Sequence, residues 1–112
     1  MKDNFIIIKN MKLFINSLDD IVGVIPNRDR ILKDRLYNTS YDTLYYLNLA
    51  NFNKKEEYGK IILCNISMID FYLERCLKNK YITSRLCERK STELLRITKM
   101  IYGWLKSESK CL

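Results

Sequence analysis

The chain of 112 residues contains no histidine, one proline and three glycines. Without histidine, imidazole general-base catalysis is excluded and zinc sites lose a principal ligand. Because proline and glycine are scarce, few positions favour tight turns, and long helices are expected rather than β-hairpins. Hydrophobic residues make up 47% and charged residues 29%, a globular rather than a disordered composition. We therefore predict one all-α domain over residues 1–112.

The cysteines lack the spacing of a metal site, since none forms a CxxC pair. We expect free thiols, no bound metal and no cofactor. No apolar run approaches the length of a membrane span, and Lys9 and Lys12 interrupt the apolar start of the chain. We therefore expect neither a signal peptide nor a membrane partner, and predict a cytoplasmic protein. The four cysteines are Cys64, Cys76, Cys87 and Cys111.

Hydrophobic periodicity predicts four helices, at about residues 4–25, 27–51, 55–78 and 84–106. Pro26 ends the first helix because it disfavours helical angles in the preceding residue. Asn27 is expected to cap the second helix and Thr83 the fourth. Long helices joined by short connections predict an antiparallel up-down-up-down four-helix bundle.

Each helix has an expected core-facing line, read from steps of three and four residues. Leu95 and Tyr102 are expected to broaden the line of the fourth helix. Most of the eight tyrosines fall beside apolar residues, so core or subunit packing is favoured for them over stacking on bases. The expected lines are Ile7, Ile8, Met11, Phe14, Ile15, Leu18, Ile21, Val22 and Ile25; Leu32, Leu36, Thr39, Thr43, Tyr46 and Ala50; Ile62, Ile66, Ile69, Leu73 and Cys76; and Cys87, Ser91, Leu94, Thr98, Ile101 and Leu105.

The formal net charge is +7, and the fourth helix concentrates cations on one face. Seven residues at steps of four and three share that face, five of them cationic and none acidic. Phosphate is the natural partner of such a face, which predicts binding of RNA or cDNA. Arg75 and Lys78 add charge near the turn before this helix. A solvated surface that keeps the protein soluble is the alternative. The seven residues are Arg85, Arg89, Thr92, Arg96, Lys99, Gly103 and Lys106.

No catalytic constellation emerges from the sequence. Two pairs of neighbouring carboxylates, at residues 19–20 and 56–57, point to different sides of their helices and stand at helix ends, where carboxylates are ordinary. The serines have no partner base, and no glycine-rich loop is present to hold a phosphate. We expect no catalytic residues and no enzymatic activity.

Three segments together resemble a known bacterial family over nearly the whole chain. The first is the turn Ile25-Pro26-Asn27 followed by Arg30, and the second is the pair Ala50-Asn51 that closes the second helix. The third runs from Thr98 through Gly103-Trp104 to Lys106-Ser107. This order is similar to the small four-helix-bundle proteins encoded in intervening sequences of ribosomal RNA genes. The same family includes the accessory variability determinant of diversity-generating retroelements.

The resemblance implies a homopentameric barrel of bundles with a basic surface and no catalytic activity. In retroelements such an assembly binds a reverse transcriptase and its RNA or cDNA during mutagenic cDNA synthesis. Two functions therefore stay open. One is a nucleic-acid-binding accessory protein of a reverse transcriptase, and the other is an intervening-sequence-type scaffold for protein interactions.

The end of the fourth helix carries a further apolar line. Ile97, Met100 and Trp104 follow a stripe that we place outside the expected core line, and Gly103 beside them is expected to permit close backbone approach. We therefore predict that Ile97, Met100, Gly103 and Trp104 form a subunit interface. The alternative is that Trp104 seals the end of the bundle.

Overall fold

The computed structural model describes residues 4–109, without the side chains of residues 107–109. Residues 1–3 and 110–112, Cys111 among them, lie outside the described residues. Every regular element from residue 4 to residue 109 is helical. The elements are α1 (Phe5–Ser17), α2 (Asp19–Val22), a 3-10 turn (Asn27–Asp29), α3 (Arg30–Ala50), α4 (Lys55–Lys78) and α5 (Ser84–Ser109).

The four long helices form an antiparallel up-down-up-down bundle, as predicted. Helix α1 packs against α3 and α5, and α4 packs against α3 and α5 on the other side. The start of α1 lies beside the end of α3, because the Asn4 side-chain amide donates to the Leu47 carbonyl at 2.7 Å. The antiparallel pairing of α4 and α5 is evident from Ser91, whose hydroxyl donates to the Asp70 carboxylate at 2.8 Å. The bundle measures 49 × 22 × 19 Å.

The connection around Pro26 differs from the prediction. Helix α1 ends at Ser17, and only the short α2 continues it toward Pro26, whose ψ of 152° is extended. Residues 27–29 form a 3-10 turn, so α3 begins at Arg30 and not at Asn27. Asn27 does not cap that helix; its side-chain oxygen accepts from the Lys33 ammonium at 2.9 Å. The Thr83 cap is confirmed, since the Leu86 amide donates to the Thr83 hydroxyl at 3.1 Å.

The core lines predicted for the first and third helices are confirmed. In the first, every member except the half-buried Val22 is buried, and in α4 all five are buried. Each fully buried large aliphatic side chain favours folding by about 1.5–3 kcal/mol relative to exposure. Helices α1 and α4 therefore supply much of the driving force that closes the bundle.

The core lines of α3 and α5 are each displaced by one residue along part of their length. In α3, Ser40 and Leu47 are buried, whereas Thr39 and Tyr46 are half-buried. In α5, the predicted members 91, 98 and 105 are half-buried, and Leu95 and Tyr102 are exposed. Burying Ile97 and Trp104 removes more apolar surface from water than burying Ser91 and Thr98 does, which explains the rotation. The buried line of α5 is Cys87, Lys90, Leu94, Ile97, Ile101 and Trp104.

The expectation that Ile97 and Trp104 lie outside the core is wrong. Their exposed fractions are 2% and 7%. The Lys55 ammonium donates to the Trp104 carbonyl at 2.6 Å and lies 4.6 Å from the centroid of its ring. Trp104 thus closes the end of the bundle where α4 begins, which is the alternative left open by the sequence.

The close approach of two helices occurs at Gly59 rather than at Gly103. A Cβ built on the buried Gly59 would lie 2.9 Å from a methyl carbon of Leu105, so the glycine lets α5 come close to α4. A Cβ on Gly103 would meet nothing within 4 Å. Packing within this chain therefore does not require a glycine at position 103.

Within residues 4–109, no helix combines the length and apolar character needed to cross a membrane.

Candidate nucleic-acid interface

The cationic face of α5 lies at the surface along its whole length. We call the seven residues Arg85, Arg89, Thr92, Arg96, Lys99, Gly103 and Lys106 the basic ridge. All seven are exposed. Because each residue of a helix advances 1.5 Å, the basic ridge extends about 32 Å. Its exposure agrees with the prediction, and its role in binding stays a prediction.

The ridge faces outward because the opposite side of α5 carries the buried line. At about 100° per residue, the centre of the ridge lies roughly 150° from the centre of that line. Ile97 and Ile101 anchor the buried side, and Arg96 and Lys99 consequently project to solvent. Core packing thereby fixes the direction in which the cations point.

Among the described side chains, the cations of the basic ridge have no carboxylate within ion-pair distance. Among the side chains that the structure describes, none of Arg85, Arg89, Arg96, Lys99 and Lys106 has a carboxylate oxygen within 4.0 Å. Arg85, Arg89 and Arg96 border a shallow depression that also contains Thr92 and the carboxylates of Glu88 and Glu93. The two acids therefore reduce the local potential without pairing with the arginines.

Glu93 is held by a buried lysine that sequence reasoning missed. Lys90 is only 4% exposed, and its ammonium lies 3.3 Å from one carboxylate oxygen of Glu93 as an ion pair. Arg89 and Arg96 stand four residues before and three residues after Glu93, at the spacings where helical side chains pair. Lys90 thus competes with the ridge arginines for this carboxylate. Lys90 stands three residues after Cys87 and four residues before Leu94, and this spacing could have placed it in the buried line.

The two additional cations of the predicted site lie on α4 and differ in exposure. Arg75 is half-buried and follows Tyr58, at steps of three and four residues, on the side of α4 that faces α3, where the rings of Tyr58 and Tyr46 lie 5.8 Å apart. Lys78 is exposed near the last turn of α4. Binding of nucleic acid by Arg75 and Lys78 stays a prediction.

The residues predicted for a subunit interface divide into two pairs. Ile97 and Trp104 belong to the core, as described above. Met100 is half-buried and Gly103 is exposed, so these two leave surface for another molecule. A subunit contact through Met100 and Gly103 stays a prediction, whereas a contact built on the side chains of Ile97 and Trp104 is not compatible with their burial.

Burial raises the pKa of two of the thiols. Burial, with smaller contributions from Cys87 and Asp29, raises the pKa of Cys76 to about 11. Burial also raises the pKa of Cys87, whose thiol donates weakly to the Leu73 carbonyl at 3.7 Å. Cys64 is exposed. Within residues 4–109, no three acidic or cysteine side chains come together as a potential metal site.

No family model, no curated protein and no solved structure matches the chain, so the family resemblance rests on the segments quoted above.

Proposed function

We propose that the chain is a non-enzymatic nucleic-acid-binding protein in which the basic ridge holds the phosphates of RNA or cDNA. The observation that carries the proposal is the alignment of five exposed cations along about 32 Å of one rigid helix. Like charges at these spacings repel, which costs the helix a few tenths of a kcal/mol per pair. A polyanion relieves that repulsion.

The proposed mechanism is electrostatic retention. Each phosphate that meets a cation of the ridge releases condensed counterions, which favours binding and makes it depend on salt. Phosphate contacts position the polymer and carry no direct base information, so we expect little sequence preference from the ridge itself. The bundle contributes a rigid support, since side chains on a packed helix lose less freedom on binding than those of a loop.

The partner enzyme is the part of the proposal that derives from the resemblance. We propose that the protein serves as an accessory of a retroelement reverse transcriptase and keeps template RNA and cDNA close to the polymerase. A homo-oligomer, expected to be a pentamer, would repeat the basic ridge and multiply weak phosphate contacts. Sedimentation velocity tests the oligomer directly, and Met100→Gln tests whether the half-buried Met100 takes part in it.

The test compares two variants that lose the same number of positive charges at different places on the protein. One variant replaces Arg85, Arg89, Arg96, Lys99 and Lys106 by Gln. The matched control replaces five exposed cations outside the basic ridge, namely Lys9, Lys12, Arg28, Arg30 and Arg35. Both variants lower the formal charge of +7 by five. Fluorescence anisotropy with a labelled RNA measures their affinities.

We expect the ridge variant to lose RNA affinity by about 100-fold at low salt and the control by less than about tenfold. Equal losses in the two variants would mean that net charge rather than the basic ridge governs binding. Retention of affinity in the ridge variant would contradict the proposed function.

A second function has its own support in exposed aromatic side chains outside the basic ridge. Phe5 on α1, and Tyr41 and Tyr45 on α3, are exposed. Such side chains are enriched in protein interfaces, which favours an intervening-sequence-type scaffold for protein partners. Gene context separates the two functions. A reverse transcriptase gene with a template repeat beside this gene favours the first, and location within a ribosomal RNA operon favours the second.

A further inference from the structure

The outer groove between α4 and α5 runs parallel to the basic ridge. Leu95 and Tyr102 stand on the side of α5 next to α4, and both are exposed although the sequence predicted them in the core. Leu63 of α4 lines the same groove opposite them. Apolar surface and cationic surface therefore lie side by side along one helix.

Tyr102 is the centre of this arrangement. Its exposed fraction is 56%, and Lys99 and Lys106 stand three residues before and four residues after it, on neighbouring helical positions. Lys60 of α4 borders the same depression as Tyr102 and Lys106. An exposed aromatic ring is thus bordered by three ammonium groups that belong to two helices.

Gly103 leaves the floor of this depression open. A Cβ at this position would meet no atom within 4 Å, although a glycine inside a helix weakens it relative to alanine. The depression has a volume of about 640 Å³, within the range of about 300–1,000 Å³ found for small-ligand sites. Glu56 is the one carboxylate among its lining residues, which the structure gives as Glu56, Lys60, Tyr102, Gly103, Leu105 and Lys106.

We propose that the ligand of the basic ridge is a single strand, whose bases occupy the groove at Leu95 and Tyr102 while its phosphates follow the cations. This inference rests on the proposed function. A single strand has an unpaired base edge beside its charged backbone, and aromatic side chains that accept stacked bases bind it without sequence preference. A duplex turns its bases inward and offers phosphates alone to the ridge.

The dimensions of the groove fit a short run of bases. Leu95 and Tyr102 are seven residues apart, or about 10.5 Å along α5. Stacked bases repeat at about 3.4 Å along a strand, so roughly three bases span the distance between the two side chains. A partner protein helix is a different occupant of the same groove. The groove contains the Asp70 carboxylate, which accepts from the Ser91 hydroxyl, and the cations along its edge favour a polyanion.

The test compares a labelled single strand of about 12 nucleotides with a duplex of the same sequence and length. The ratio of the two affinities is measured for the wild type and for Tyr102→Leu, Tyr102→Phe and Tyr45→Leu. Tyr45 is a matched control because it is similarly exposed but lies on α3, away from the basic ridge. Photocrosslinking from a 5-bromouracil-substituted strand identifies the contacted tyrosine.

We expect the wild type and Tyr45→Leu to prefer the single strand by about tenfold, and Tyr102→Phe to keep that preference. Tyr102→Leu is expected to bring the ratio close to one, and the crosslink is expected at Tyr102. A ratio near one in the wild type, or the same ratio in Tyr102→Leu, would overturn this inference while the ridge variant still tests the proposed function. A wild type that binds neither polymer would overturn both.

Discussion

The outward faces of α3 and α5 follow the same helical periodicity and have opposite chemistry. On α5 the basic ridge presents five exposed cations, with the carboxylates of Glu88 and Glu93 beside it. On α3 the corresponding surface carries Tyr37, Tyr41 and Tyr45, which we call the tyrosine face. Asp34 and Asp42 stand three residues before Tyr37 and Tyr45, on neighbouring helical positions. The tyrosine face therefore offers a phosphate no aligned set of cations, whereas the basic ridge offers five.

The comparison shows that total charge is a poor guide to where a polyanion binds. Arg28, Arg30 and Arg35 are all exposed at the start of α3, yet Asp29 and Asp34 are interspersed with them. Tyr37 is also engaged within its own chain, since its ring stacks on Tyr41 with centroids 5.9 Å apart and its hydroxyl donates to Asp19. What distinguishes α5 is that five exposed cations share one face, while the neighbouring Glu93 pairs with Lys90. Each prediction below alters that face, its support or the tyrosine face.

The largest effect on stability is expected from a substitution on the buried side of α5. Trp104→Ala removes a large buried side chain and should lower the free energy of unfolding by about 3–5 kcal/mol. Urea denaturation followed by circular dichroism measures the loss. Tryptophan fluorescence cannot be used, because Trp104 is the single tryptophan of the chain. A loss below about 1 kcal/mol would contradict the orientation of α5 on which the basic ridge depends.

The second-largest effect is expected from adding a carboxylate among the cations of the basic ridge, as occurs at the start of α3. Thr92→Glu places a carboxylate between Arg89 and Arg96, at spacings where both can pair with it. RNA affinity should fall by about tenfold at low salt, while thermal stability is unchanged or slightly higher. Thr92→Gln is the matched control and should retain the wild-type affinity. An affinity that is the same in both variants would show that separation from carboxylates is unimportant.

A smaller effect is expected from the buried lysine. Lys90→Met keeps the length of the side chain but releases Glu93, which can then pair with Arg89 or Arg96. RNA affinity should fall by about threefold, and stability should fall as well, because removing one partner of the ion pair leaves the buried oxygen of Glu93 without its cation. The double variant Lys90→Met with Glu93→Gln removes the released carboxylate and should restore the affinity. Failure of that restoration would argue against competition for Glu93.

The smallest effect concerns pH and the tyrosine face. The hydrogen bond to Asp19, with burial next in importance, raises the pKa of Tyr37 to about 12. Since the folded state holds this proton more tightly, its contribution is complete below a pH of about 10 and is lost between about 10 and 12. The loss should stay below about 1 kcal/mol because solvent screens the pair. In Tyr37→Phe the alkaline decline of the denaturation midpoint should be shallower; an identical decline would exclude Tyr37.

Much of the fold followed from periodicity, and the failures have local causes. The lines of the first helix and of α4 were predicted because large aliphatic residues occupy them without competing alternatives. On α5, the shared positions Cys87, Leu94 and Ile101 are compatible with two flanking lines, one through Ile97 and the other through Thr98. Only the packing of α1 and α4 around the helix selects between them, and the sequence of α5 alone contains no such information.

The candidate site was predictable from the sequence where it depends on spacing within one helix, and not where it depends on how two helices pack. The basic ridge depends on spacing within one helix, so its five cations were identified before the structure. The roles of Lys60 and Tyr102 depend on how α4 lies beside α5, and that of Lys90 depends on the rotation of α5.

The salt dependence of RNA binding tests the basic ridge most directly. Five phosphate contacts predict a slope of about −3.5 for the logarithm of the binding constant of a single strand against the logarithm of salt concentration. The slope should become close to zero in the variant with Gln at Arg85, Arg89, Arg96, Lys99 and Lys106. It should stay near −3.5 in the matched five-cation control. The same slope in both variants would contradict phosphate binding by the basic ridge.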